Sequence, residues 1–192
     1  MAKPGDVIEN PRTGERIVFR KTAAETDGEL LEMDFFVAPG GFAPRRHIHG
    51  DVEERFVAVS GALTLWVDGK ETRLAPGEAA VAPAGSGHTF RAEGQEMAHF
   101  IAEIRPALEM ETLFETVFGL FRDGKTNRKG WENLLQGVVL AHEYRAFLAG
   151  PPTALQRPLI AALAGVGRLL GYRARYEKYS GGAARVDNTQ RR

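Results

Sequence analysis

The chain has 192 residues, 43% hydrophobic and 26% charged, enough for one globular domain plus an appendage. Its 25 basic and 25 acidic residues cancel, so no overall field draws it to nucleic acid or to an anionic membrane. It contains no cysteine, which excludes disulfides, thiolate zinc sites and a cysteine nucleophile, and fits a cytoplasmic setting.

In chain order, residues 1–16 are polar, with turn signals at Pro4-Gly5 and Asn10-Pro11 and no apolar core of the signal-peptide kind. Ile17-Val18-Phe19 reads as an edge strand, and Leu30 to Val37 as the next, closed by Pro39-Gly40-Gly41. An extended stretch follows around His47 and His49, then strands over Arg55–Ser60 and Ala62–Val67. Asp68-Gly69 is the signal for a tight hairpin turn, with Lys70–Leu74 as its return strand. Ala79–Ala82, His88–Ala92 and Met97–Ile104 complete the series. Many short strands separated by Gly/Pro turns predict a sandwich or barrel. There is no internal repeat.

After Pro106 the apolar period changes from two to about three and a half. Met110, Leu113, Phe114, Val117, Phe118 and Phe121 predict an amphipathic helix, with Glu109, Glu111 and Glu115 facing away and Asp123-Gly124 as its stop. Trp131, Leu134, Leu135 and Val138 begin a second helix, running to about Leu148 and ended by Gly150-Pro151-Pro152. A third helix starts at Thr153 with Leu155, Leu159, Leu163, Val166 and Leu170 on one side. Residues 158–167 carry no charge, so this helix needs a cover. No segment approaches ~20 consecutive apolar residues, so none is a transmembrane helix.

The chemistry centres on residues 41–61. Side chains two apart on a strand share a face, so His47 and His49 aim two imidazoles at one spot. A hairpin return brings a carboxylate there, and two histidines with one carboxylate suit a divalent first-row metal with open positions. His88, just after the turn Pro83-Ala84-Gly85, is a fourth candidate.

These residues resemble the two sequence motifs of the cupins. Gly41, His47, His49, Glu54 and Gly61 fit the first motif, and Gly77, Pro83, Gly85 and His88 fit the second. The last position of the second motif is Ala92 where the family has Asn, which is not one of its metal ligands. The resemblance covers roughly residues 30–105. It implies a mainly β fold, a jelly-roll-like antiparallel β-barrel, holding one metal through His47, His49, Glu54 and His88. Glu53 also fits the allowed gap, but Glu54 leaves the family's six residues before Gly61 and Glu53 leaves seven. A lone histidine is more often a loop or core residue; four ligand residues at family spacing favour a metal. Its identity stays open among Fe, Mn, Ni, Co, Cu and Zn.

The expected organisation is a cupin barrel over 1–106, a C-terminal helical extension over 107–179 and a disordered tail over 180–192. Alternation from Glu54 and His88 turns Phe56, Ala58 and Phe90 inward, either to wall a substrate pocket or simply to fill the barrel. His99 is a weak candidate acid or base. Arg45 and Arg46 are surface charges that could steer an anion, and His142 reads as packed or half-buried. The helices either cover the barrel mouth, pair with a second copy in a homodimer, or lie on a membrane surface. From Arg168 onward seven basic residues face two acids, but no aromatic platform for nucleic acid accompanies them. The expected function is a metalloenzyme acting on a small organic substrate, an oxidoreductase of the dioxygenase type first and an isomerase or lyase next. The alternative is a non-catalytic small-molecule-binding or sensor protein.

Overall fold

Alternating burial along the strands builds two facing antiparallel sheets, in the computed structural model that describes residues 2–41, 45–127 and 130–180. The strands are β1 (Val7–Glu9), β2 (Arg16–Lys21), β3 (Leu31–Val37), β4 (His47–His49) and β5 (Glu53–Ser60). They continue with β6 (Ala62–Val67), β7 (Lys70–Leu74), β8 (Ala79–Ala82), β9 (Gly87–Glu93), β10 (Ala98–Arg105) and, beyond two helices, β11 (Ala146–Leu148). One sheet has the order β1-β2-β3-β10-β5-β8 and the other β11-β4-β9-β6-β7. The fold is the mainly β, jelly-roll-like class expected. β1 was not legible in the polar N-terminal run; it forms because Val7 and Ile8 pair with Val18 and Ile17.

In β3, Leu31, Met33, Phe35 and Val37 are buried, while Glu32, Asp34 and Phe36 between them are only half-buried. β10 repeats the pattern with Ala98, Phe100, Ala102 and Ile104 inward. The inner faces meet in an aromatic cluster. Phe35 stacks on Phe100 at 5.1 Å, and Phe90 meets Phe100 edge-on at 5.1 Å, geometries that aromatic quadrupoles favour. The hairpin between β6 and β7 turns at Asp68 and Gly69, both with positive φ (48° and 86°), the turn its sequence signals.

The helices are α1 (Met110–Arg122), α2 (Leu134–Glu143) and α3 (Thr153–Leu169). α1 lays Met110, Phe118 and Phe121 on the core. Its acidic side is not solvated as expected: Glu111 and Glu115 are each only 3% exposed. The Glu111 carboxylate accepts the Ala23 backbone N–H, so it serves the loop after β2 rather than water.

α2 is shorter than expected at both ends. Asn133 caps it, accepting the Gln136 N–H at 3.0 Å, so Trp131 stays in the preceding loop. Beyond Tyr144 the chain leaves the helix at Arg145, whose φ is +48°, and enters β11. β11 pairs antiparallel with β4, so a strand from the second half of the chain hydrogen-bonds beside the two histidines.

α3 packs on α2 through small residues. Ala164 is fully buried, and a Cβ on Gly167 would lie 2.8 Å from Val139 Cγ2. The side of α3 that carries Leu155 and Leu159 stays exposed among the described residues of the single chain. Among the described residues no helix is long and apolar enough to cross a membrane. The tail expected at 180–192 lies outside the described residues from 181 onward.

Candidate metal centre

The sheet topology brings His47, His49, Glu54 and His88 together. β4 pairs with β9 in a register that sets His47 directly opposite His88. β5 belongs to the facing sheet and turns Glu54 into the space between. Alternation also separates the two neighbouring glutamates: Glu54 is 8% exposed, whereas Glu53 faces solvent.

One ligand atom each from His47, His49 and Glu54 falls within 4.8 Å of the others. His88 joins through Glu54, its Nε2 being 3.2 Å from Glu54 Oε1, and the His49 Nε2 is 3.6 Å from the same oxygen. The His88 ring lies 4.5 Å from that of His47 and 6.1 Å from that of His49.

Each imidazole is steered by the backbone. His47 Nδ1–H donates to the Arg45 carbonyl at 2.8 Å, and His88 Nδ1–H to the Ser86 carbonyl at 3.3 Å. His49 hydrogen-bonds the backbone of Tyr144, just after α2. Such bonds hold the tautomer and leave the other nitrogen free as a lone-pair donor.

The electrostatics are those of a compressed ligand set. Burial, with His49 and His88 nearby, pushes the His47 pKa down to about 3. Burial also lowers His49, against the pull of Glu54. Burial would raise Glu54, but the three imidazoles outweigh it and hold the carboxyl at about 2. Burial would lower His88, but the Glu54 carboxylate outweighs it and raises that residue.

Glu54 Oε1 and His88 Nε2 are buried side by side without a hydrogen bond of acceptable geometry. Orphaned buried polar atoms are costly, and here they face the free nitrogens of two further histidines. A cation bound among them would satisfy these atoms together, so the donor set fits a divalent transition metal.

The remaining candidates lie as follows. Phe56, Ala58 and Phe90 are buried at 2%, 2% and 9% exposure, with the Phe56 ring 6.3 Å from His88. His99 is not part of the group. Strand alternation turns it to the opposite face from Phe100, where its Nε2 meets Asp34 Oδ1 at 2.7 Å and its ring stacks on Phe36 at 4.3 Å. Arg45 stacks its guanidinium 3.6 Å from the Trp131 ring centroid, and the Arg46 Nε–H donates to the Gly87 carbonyl at 3.4 Å. His142 is exposed rather than packed, with Nδ1 3.2 Å from the Arg168 guanidinium. A cavity of ≈ 290 Å³ lies away from the histidines, between α1, α2 and the segment after α3. Several of its polar groups bond elsewhere within the chain, as with Tyr176 Oη–H to Gln136 Oε1 at 2.6 Å.

Sequence reasoning missed the support that the second half of the chain gives this site. Tyr144, Trp131 and β11 all touch β4 or its approach. The only local signal was the short apolar run Ala146-Phe147-Leu148, which a helix would also accommodate.

Parts of the chain are similar to known proteins. The cupin domain family matches residues 33–103. Quercetin 2,3-dioxygenase of Bacillus subtilis (strain 168) is 32% identical over 84 residues, covering 41% of this chain and 25% of that protein. The chain thus matches only a quarter of that relative's length. Among solved structures, KdgF from Halomonas sp. is similar at 20% identity and a TM-score of 0.45, over 58% of this chain and 87% of that one. A predicted oxalate decarboxylase from Thermotoga maritima is similar at 18% identity and a TM-score of 0.47, over 53% of this chain and 90% of that one. The matched segment, residues 33–103, spans the strands that carry all four clustered residues, and it is this segment that is similar to the cupin domain.

Proposed function

We propose that the protein is a mononuclear metalloenzyme of the dioxygenase type, acting on a small organic substrate, with His47, His49, Glu54 and His88 holding the metal. One observation carries the metal reading: Glu54 Oε1 and His88 Nε2, buried without a hydrogen bond of acceptable geometry, beside two oriented imidazoles. The bound ion would supply Lewis acidity toward a bidentate oxygen substrate and open positions suited to dioxygen chemistry.

The chain's own residues do the rest. The carbonyls of Arg45 and Ser86 keep the His47 and His88 Nδ1 positions protonated, so Nε2 is the donor at both. Phe56 and Phe90 exclude water from the side toward the core, where the aromatic cluster closes the space. Glu54 supplies the one negative charge of the set and stays ionised across the neutral range, its pKa being about 2.

The dioxygenase preference draws on the similarity to quercetin 2,3-dioxygenase. An isomerase or lyase using the same Lewis acidity is the next reading, and a non-catalytic binding module the one after.

Elemental analysis of the purified protein tests the metal. About one equivalent is expected, and His47→Ala and His88→Ala should each abolish it. Full occupancy in both variants would refute the ligand assignment. Oxygen uptake with flavonol and catechol substrates then separates the readings. A dioxygenase consumes oxygen in step with substrate, an isomerase or lyase turns over anaerobically, and a binding module does neither.

A further inference from the structure

α3 carries an apolar face that the other described residues leave bare. Leu155, Leu159, Val166 and Leu169 are 70%, 61%, 47% and 89% exposed. The helix cannot roll to hide them. Its other side is committed to α2, where the Gly167 Cβ position is 2.8 Å from Val139 Cγ2 and 3.1 Å from the Leu135 carbonyl oxygen.

The spacing of the bare face is informative. Leu155, Leu159, Ala162, Val166 and Leu169 follow intervals of four, three, four and three residues. That average of 3.5 is the period of a seam between two helices. The flanks are Gln156, Pro158, Leu163 and Gly165, with no charge to repel an identical helix. Ala161, Ala162 and Gly165 are small enough for close backbone approach.

The nearby basic residues do not point to a lipid surface, because several are already engaged. Arg168 pairs with Glu143 at 2.8 Å, Lys178 with Asp123, and the Arg175 guanidinium lies 3.5 Å from the Thr112 hydroxyl. Two such helix faces together offer on the order of 1,000 Å² of apolar surface, the threshold for a specific interface.

We propose that α3 is a self-association seam, on which a second copy of this chain lays its own α3 about a twofold axis. Such an axis makes the interface isologous, so one patch serves both subunits.

Sedimentation equilibrium over a wide concentration range tests it. The parent should approach twice the chain mass, with a melting temperature that rises with concentration. Leu159→Glu and Leu169→Glu should each raise the dissociation constant at least about 30-fold, the effect of losing one central interface residue. Both positions are exposed in the single chain, so far-UV circular dichroism and metal content should match the parent. Leu159→Ala, milder still for folding, should shift the equilibrium in the same direction. The proposal is overturned by a parent that is monomeric throughout, or by a dimer that these substitutions leave intact. Binding of the parent to anionic phospholipid vesicles that Leu159→Glu abolishes would also overturn it.

Discussion

The facing sheets and α3 use apolar residues in opposite ways. In β10, Ala98, Phe100, Ala102 and Ile104 all turn into the core, and each is at most 2% exposed. In α3 Leu155, Leu159, Val166 and Leu169 are exposed, and only Ala164 and Gly167 are buried. The sheets draw cohesion from bulk packed inside a single chain. The helix is held by small residues that allow close approach to α2, while Leu155, Leu159 and Leu169 stay exposed among the described residues. A hydrophobic pattern therefore reports that a face must be covered, but not by what.

The site sits where these two regimes meet. β4 carries His47 and His49 between β9 of the barrel and β11 of the later segment. The sharpest way to break the comparison is to attack that junction with protons. Metal ligands must be unprotonated, so acid competes with the metal. His88 is held above its ordinary pKa by the Glu54 carboxylate, whereas burial drives His47 down to about 3. As pH falls, His88 should take its proton before His47. Dialysis from about pH 8 to about pH 5, with metal counted at each step, should show complete release on the acid side and recovery on return. Retention throughout would show that protons do not displace the metal from His88 in this range.

The next largest effect lies inside the barrel. Phe100 is fully buried between Phe35, Phe56 and Phe90. Phe100→Ala should cost about 3–5 kcal/mol in a denaturant titration, through lost transfer energy and the cavity left behind. A loss near zero would show that the two sheets do not depend on this cluster.

A smaller effect is expected where α3 meets α2. Gly167→Leu places a side chain against Val139 and the Leu135 carbonyl, and should cost about 1–3 kcal/mol. Hydrogen exchange should quicken in α3 and α2 while the β3 and β10 amides keep their protection, which separates the two regimes within one molecule. Uniform loss of protection would show instead that the helices and sheets unfold as one unit.

Much of this was legible along the chain. Strand alternation placed His47 and His49 on one face, because the period of two is a property of the local backbone, and motif spacing told Glu54 from Glu53. The turn at Asp68-Gly69 followed from residues that accept positive φ. β11 was not legible, because a three-residue strand owes its existence to β4, about a hundred positions away. The burial of Glu111 was hidden for the same reason, since its partner is the Ala23 amide on a distant loop.

What the sequence determined by itself is the strand series, the helical period after Pro106 and the types and spacing of the four clustered side chains, because each rests on neighbours within a few residues. Tertiary structure alone decided three further things: that Glu54 meets His88 across the two sheets, that Tyr144 and β11 support the histidine strand, and that α3 turns its small residues inward. Each depends on which distant surfaces come into contact, and a pattern of hydrophobicity does not specify contacts between distant segments.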